Sequence, residues 1–328
     1  MNPDVRLSNL KDHCEFLANP ALNGRVPGRE GNRLARNYIR QKFEEIGLTP
    51  LFGQSWYQEY PTQASGKLVI GKNVGGALEA SVRNMKAPTM IIGAHYDHLE
   101  GIPGADDNAS SIAIMIETAR SLARHGSETR RKHLAFVAFD TEERPFYLTP
   151  DMGSVYFYNH SPVERIDCAL IMDLCGHDFP VPGREDSIFV MGADSSPMLA
   201  ETLPRITAEK VTPFIINDRY GGDKSDYYVF KKGRIPYVFL SVGWWECYHK
   251  PCDTLDKLNY EKMAGICSLL ENIIMALAAK VIPAKSVDTI ELEARYLCLL
   301  TGQDIAPHRP TMDSLVSKIK STYLGRSD

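Results

Sequence analysis

"TMIIGAHYDHLEGIPGADDNASSIAIMIETARSLARHG", residues 89–126, is the stretch whose reading decides the fold. A run of mostly apolar residues, 89–95, stops at His95. Asp97 and His98 follow, and a Gly-containing loop with Glu100 leads to Asp106, Asp107 and Asn108. From Asn108 the spacing turns helical, opening on Asn-Ala-Ser-Ser and stopping at Gly126. "HLAFVAFD" (133–140) is a second short apolar run ending in polar residues. Such runs read as strands buried on both faces, so 89–140 is a strand–helix–strand unit. Carboxylates packed this densely at the end of a buried strand repel one another unless something cationic lies between them.

The same pattern recurs along the chain. "CALIMDL" (168–174), "SIFVMG" (187–192) and "IPYVFLS" (235–241) read as further strands, with helices near 196–208 and 260–280. Upstream, "REGNRLARNYIRQKFEEIGL" (29–48) puts Leu34, Tyr38, Ile39, Phe43 and Ile46 on one helical face, with Gly47 as the stop. This is an α/β layered sheet. In such folds the chemistry collects outside the carboxyl ends of the strands.

The bulk numbers allow one large α/β domain or two small ones. The chain has 328 residues, 44% of them hydrophobic, with a net charge of −4. No basic field argues for nucleic acid or an anionic membrane, and no apolar stretch approaches a membrane span. The first seventeen residues lack the layout of a signal peptide, so a cytoplasmic protein is expected as the sequence stands, and a secreted or periplasmic one if a signal was trimmed. Seven scattered cysteines do not form a disulfide framework. Cys247 and Cys252 are the exception, because they bracket His249 closely enough to form a small strap.

Three of these strands lead into candidate metal ligands. His95 and Asp97 follow the first, Glu142 and Glu143 the second, and Asp173 the third. A fourth apolar run leads to His249, and the loop after the first strand adds Asp106. Taken singly, each has an ordinary structural reading: a satisfied histidine, a helix cap, a solvated turn. Their coincidence at converging strand ends, with no basic run beside them in the chain, points to metal. Imidazole nitrogen with carboxylate oxygen suits zinc, with cobalt or manganese as alternatives. The number of such groups exceeds the need of one ion and suits two sharing a bridging carboxylate.

At this point the chain resembles a known family. "GAHYDH", "PGADDNASS", "FVAFDTEE", "LIMDLCG", "SDYYVF" and "YHKPCDT", in that order, are similar to the di-zinc aminopeptidases of bacterial leucyl aminopeptidase type, whose relatives include glutamate carboxypeptidases and glutaminyl cyclases. The resemblance covers roughly residues 8–280, and "LNGRVPGREGNRLARNYIRQKFEEIGLTP" is similar to that family's lead-in helix. It implies a zinc-dependent exopeptidase-like fold: a three-layer α/β/α sandwich with a mixed, mostly parallel sheet. It implies a catalytic domain over 1–284 and leaves 285–328 as a C-terminal helical extension packed on the same domain, able to cap the fold or join two copies. Stretch 52–88 is too short for the inserted domain of larger relatives.

Carried over residue by residue, the resemblance implies two zinc ions and a water bridging them. Asp106 would bridge, His95 and Asp173 would complete one site, and Glu143 and His249 the other. Asp97 would accept the ring N–H of His95, and Glu142 would be the general base. A cis peptide would join Asp106 to Asp107. The implied substrate is a peptide or small amide with a free N-terminus. Two departures stand out. Ser225, Asp226 and Tyr227 replace the usual Ser-Asp-His near the substrate, and the segment after Glu143 is long. A similar long segment, and an aromatic pair like Trp244 and Trp245, occur in glutaminyl cyclases, single-zinc acyltransferases that form the runner-up. A receptor-like protein of this fold would lack ligands, and none is missing here.

Overall fold

Residues Thr89–His95 are buried without exception and form the centre of the sheet. The computed structural model describes residues 3–64, 66–80, 87–124, 131–222, 224–319 and 321–322. In chain order its strands are β1 (Thr49–Pro50), β2 (Tyr57–Ala64), β3 (Lys67–Leu78), β4 (Thr89–His95), β5 (His133–Phe139), β6 (Ile166–Met172), β7 (Ser187–Met191), β8 (Thr212–Ile215) and β9 (Tyr237–Ser241). They lie side by side in the order β1-β3-β5-β4-β6-β9-β7-β8, with β2 paired to β3. Strands β5, β4, β6 and β9 run parallel. The flanking β3 and β7 run against them. The sheet is therefore mixed and mostly parallel at its core, as expected.

The helices are α1 (Pro3–Leu17), α2 (Glu30–Ile46), α3 (Ser111–Arg124), α4 (Gly153–Asn159), α5 (Pro197–Thr202), α6 (Tyr227–Lys232), α7 (Tyr260–Leu277), α8 (Ile290–Thr301) and α9 (Arg309–Ile319). Helix α3 links β4 to β5, and α4 links β5 back past β4 to β6. Right-handed crossovers that run in opposite directions along a sheet put their helices on opposite faces. Helices α1, α2 and α7 accordingly gather around α3, while α6 joins α4 and packs on β6 and β9. The reversal at β4 leaves a crevice at the carboxyl ends of the parallel strands.

Most sequence expectations hold to within a few residues. Helix α2 ends where expected, with Gly47 at a left-handed φ of 88° accepting the turn that L side chains disfavour. Helix α5 covers only the first half of 196–208. Helix α3 runs to Arg124, and Gly126 lies outside the described residues. Stretch 52–88 supplies the β2–β3 hairpin, with residues 81–86 outside the described residues. Helix α1 and strand β8 were not expected from the sequence. Among the described residues no helix is long and apolar enough to cross a membrane.

Packing explains why β4 carries a glycine. A Cβ on Gly93 would lie 2.5 Å from Phe139 Cε2 on the neighbouring strand, too close for real atoms. The phenylalanine ring therefore seals the sheet just below the strand ends.

Candidate metal centre

Each strand of the parallel core delivers chemistry at its carboxyl end. His95 closes β4, Glu142 and Glu143 follow β5, Asp173 follows β6, and the chain beyond β9 brings in His249. Asp107 reaches the same point from the loop between β4 and α3. Its Oδ1 lies 3.3 Å from His95 Nε2, while its Oδ2 lies 3.2 Å from His249 Nε2. Asp173 Oδ1 is 3.4 Å from His95 Nε2, and Glu143 Oε2 is 3.2 Å from His249 Nε2. One carboxylate thus faces two groups of ligand atoms at once.

These separations fit metal ions. Two ligand atoms about 2 Å from one ion, at a tetrahedral angle, lie about 3.3 Å apart. Buried Asp173 Oδ1 makes no hydrogen bond, as expected for an atom whose partner is a cation. The donor set of imidazole nitrogen and carboxylate oxygen suits zinc. Among the described residues, His95, Asp107 and Asp173 form one buried group of metal-ligand type, and His98, Asp107 and Glu143 a second.

The carboxylate that the two groups share is Asp107, where the resemblance implied Asp106. The two carboxylates are neighbours, and they point to opposite sides. Asp106 Oδ1 accepts the N–H of Gly176 at 2.6 Å and of His177 at 3.1 Å, and Oδ2 meets His177 Nδ1 at 2.7 Å. Asp106 is therefore spent on tying its loop to the turn after Asp173. The cis peptide moves with the bridge: it joins Asp107 to Asn108, not Asp106 to Asp107.

The role expected for Asp97 also changes. His95 Nδ1 is nearest the main-chain oxygen of Asp97, at 3.2 Å, with the carboxylate at 3.7 Å. That carboxylate instead accepts the N–H groups of Glu142 and Glu143, each at 3.0 Å. Asp253 does the same for the other loop, accepting from Asp106 N at 2.7 Å and Asp107 N at 3.1 Å. Two buried carboxylates, far apart in the chain, thereby fix the two ligand loops.

A third fixing element is Arg25, which is 1% exposed. Its Nε donates to Tyr96 O, Nη1 to the carbonyls of Leu17 and Pro103, and Nη2 to those of Gly104 and Asp107. A guanidinium has five N–H donors, and five main-chain carbonyls accept them. Gly104 is needed where this loop turns: it has φ 60°, and a Cβ there would lie 2.3 Å from Asp107 O.

His98 was not among the ligands expected, although the sequence placed it beside them. Its Nδ1 is 2.8 Å from Glu143 Oε1, and its Nε2 makes no hydrogen bond. Trp245 stacks on His177 with ring centroids 4.7 Å apart. Trp244 instead lines a cavity next to Asp173. Tyr227 is buried, stacked on Tyr237 and Phe239, and its hydroxyl donates to Gly222 O. Cys247 and Cys252 are bridged, closing the strap around His249.

The backbone bends sharply where the ligands are aimed. Thr141 (φ 57°) precedes Glu142, Leu174 (φ 55°) follows Asp173, and His249 itself has φ 56°. Non-glycine residues hold such angles only where their surroundings impose them, and they cluster at functional sites.

The electrostatics describe a site built for cations. Burial pushes the Asp107 carboxyl up, but His98, His249 and His95 outweigh it and hold the group well below its usual range. Burial opposes charging of His249, yet Asp107 and Glu143 raise it to about 10. Glu142 is different. Burial pushes its carboxyl well above the usual range; His95 opposes this, and Asp173 and Glu143 add to it. Its Oε2 lies 3.9 Å from His95 Nε2.

Residues 73–274 match the family model of Peptidase family M28. The chain belongs to that family. It is 28% identical to leupeptin-inactivating enzyme 1 of Streptomyces exfoliatus over 284 residues, 78% of this chain and 58% of that enzyme. It is 26% identical to aminopeptidase YwaD of Bacillus subtilis over 191 residues, 55% of this chain and 39% of that enzyme. The chain thus spans 58% and 39% of the lengths of these two relatives. A glutaminyl cyclase from Fimbriiglobus ruber shares the fold with a TM-score of 0.62 at 18% identity, over 84% of this chain and 95% of that one. Membership makes the crevice the candidate metal site of a Peptidase family M28 chain.

Proposed function

We propose that the protein is an aminopeptidase that removes N-terminal residues from peptides with two divalent metal ions, zinc by its donor set. The observation that carries this reading is Asp107, whose two oxygens face separate ligand groups at 3.2 and 3.3 Å. His95, Asp107 and Asp173 would hold one ion, and Asp107, Glu143 and His249 the other, with His98 beside Glu143. Bound there, the ions would supply an acidified water and polarise the scissile carbonyl.

The chain's own residues supply the rest. Glu142 lies beside the ligands without a place among them, with its N–H held by Asp97. A carboxyl whose affinity for protons is raised by burial takes a proton from the attacking water and passes it to the leaving amine. Buried walls and the fixed loops keep these groups in place and exclude bulk water. A cyclase using one ion would leave one of the two ligand groups that share Asp107 without a task, which favours the peptidase.

Zinc-loaded protein incubated with leucine-p-nitroanilide and, separately, with an N-terminal glutaminyl peptide tests the reading. Release of nitroaniline supports the aminopeptidase. Loss of ammonia from the glutaminyl peptide without nitroaniline release would replace it by the cyclase.

A further inference from the structure

A cavity of about 460 Å³ opens beside the metal centre, and Asp173 lines both. Its size lies within the range of about 300–1,000 Å³ usual for small-ligand sites. The near walls come from the strand ends and the loops after them: Leu174, Phe189, Met191, Phe239 and Trp244. The far wall is Leu297 and Leu300 of α8 with Val316 and Ile319 of α9. These two helices lie beyond the 73–274 stretch that the family model matches.

Both helices are anchored, α8 against the sheet and α9 to α8 and to Arg219. Helix α8 packs on β8, and the Tyr296 ring meets Phe214 edge-on at 6.3 Å. Arg184 donates to Leu299 O at 2.6 Å, and Val287 N to Asp194 O at 2.9 Å. Arg309 at the start of α9 pairs with Glu293, which is buried on α8, at 2.5 Å. Arg219 pairs with Asp313 at 3.2 Å. A wall fixed in this way can discriminate by shape.

We propose that α8 and α9 form the specificity wall of this enzyme: they close the pocket that receives the first side chain of the substrate and select a bulky, uncharged apolar residue there. The inference rests on the aminopeptidase reading and names its substrate class. Continuity with Asp173 places the occupant next to the scissile bond. The charged lining groups are Asp173, which belongs to the metal centre, and Lys224, whose ammonium lies over the Trp244 ring at 3.7 Å. The α8 and α9 side chains facing the cavity carry no charge, so a charged first residue that reaches this far wall would meet no partner on it.

The test is Leu300→Trp, which fills the far end of the pocket, assayed on phenylalanine- and alanine-p-nitroanilide with zinc content and thermal midpoint as controls. A filled pocket lowers kcat/KM for the phenylalanine substrate by about tenfold or more and leaves the alanine substrate within about twofold, since pocket shape acts at this scale. Equal loss on both substrates at unchanged zinc content overturns the wall. Should Leu300→Trp fail to fold, Val316→Trp reads the same wall from α9. Wild-type protein inactive on both anilides counts against the aminopeptidase reading instead. The wall is then tested by calorimetry with phenylalanine amide and alanine amide: selective weakening of the larger amide supports it, and equal weakening overturns it.

Discussion

The Asp97 carboxylate accepts the main-chain N–H groups of Glu142 and Glu143, both at 3.0 Å. One oxygen holds the residue assigned as base and the other holds a ligand, so the relative position of the two glutamates depends on a side chain from a different strand end. Replacing Asp97 by Asn turns one acceptor into a donor facing an N–H. Groups that orient ligands in this way are worth about 10–100-fold in metal affinity or activity. Asp97→Asn should therefore lower zinc affinity or kcat by that order, read by competition with a chelating dye and by initial rates. Unchanged values of both would contradict the clamp.

Asp106 and Asp107 separate the two possible bridges. Asp107→Ala should lose zinc from both sites. Asp106→Ala should keep zinc but lose stability, because the N–H groups of Gly176 and His177 are left without an acceptor in a buried place, at about 1–3 kcal/mol each. Zinc analysis and chemical denaturation of the two variants check this. The opposite pattern would restore Asp106 as the bridge.

Glu142→Gln keeps the shape of the side chain and removes its ability to carry a proton. Zinc content should stay at the wild-type value while kcat falls by about a hundredfold or more. Near wild-type turnover would remove Glu142 from the mechanism.

Lys262 gives a pH prediction away from the ligands. Its side chain is 1% exposed and donates to the carbonyls of His177 and Glu185, and burial lowers its pKa from 10.5 to about 8. A lowered lysine means that the unfolded chain binds more protons between pH 8 and 10.5. Its destabilising effect is therefore complete below about pH 8 and fades as pH rises toward 10.5. Lys262→Met removes this dependence. Wild-type stability measured relative to the variant should rise by about 1–3 kcal/mol over that window. A flat difference would show that the ammonium is not penalised.

The sheet was legible because β4, β5, β6 and β9 are two-sided buried strands, whose unbroken apolar runs announce themselves. His95, Glu143 and Asp173 were legible because they lie at or just past the ends of those runs, and His249 because it follows the last of them within eight residues. The bridge was not. Adjacent Asp106 and Asp107 are chemically equal, and which one faces the crevice is set by Gly176 and His177, 70 and 71 residues from Asp106, which hold the Asp106 carboxylate on the other side. No local pattern carries that information. Arg25 was equally hidden, since its partners are main-chain carbonyls with no residue identity. Helix α1 escaped notice because it buries Arg6 and His13 along with Leu10 and Cys14, which blurs its apolar stripe.

The most direct test of the central claim is the number of zinc ions bound per chain, measured by titrating chelator-stripped protein and counting metal after gel filtration. Two zinc ions per chain, falling toward none in Asp107→Ala, is the predicted result. One ion per chain, or a second ion that survives in Asp107→Ala, would contradict a centre shared through Asp107.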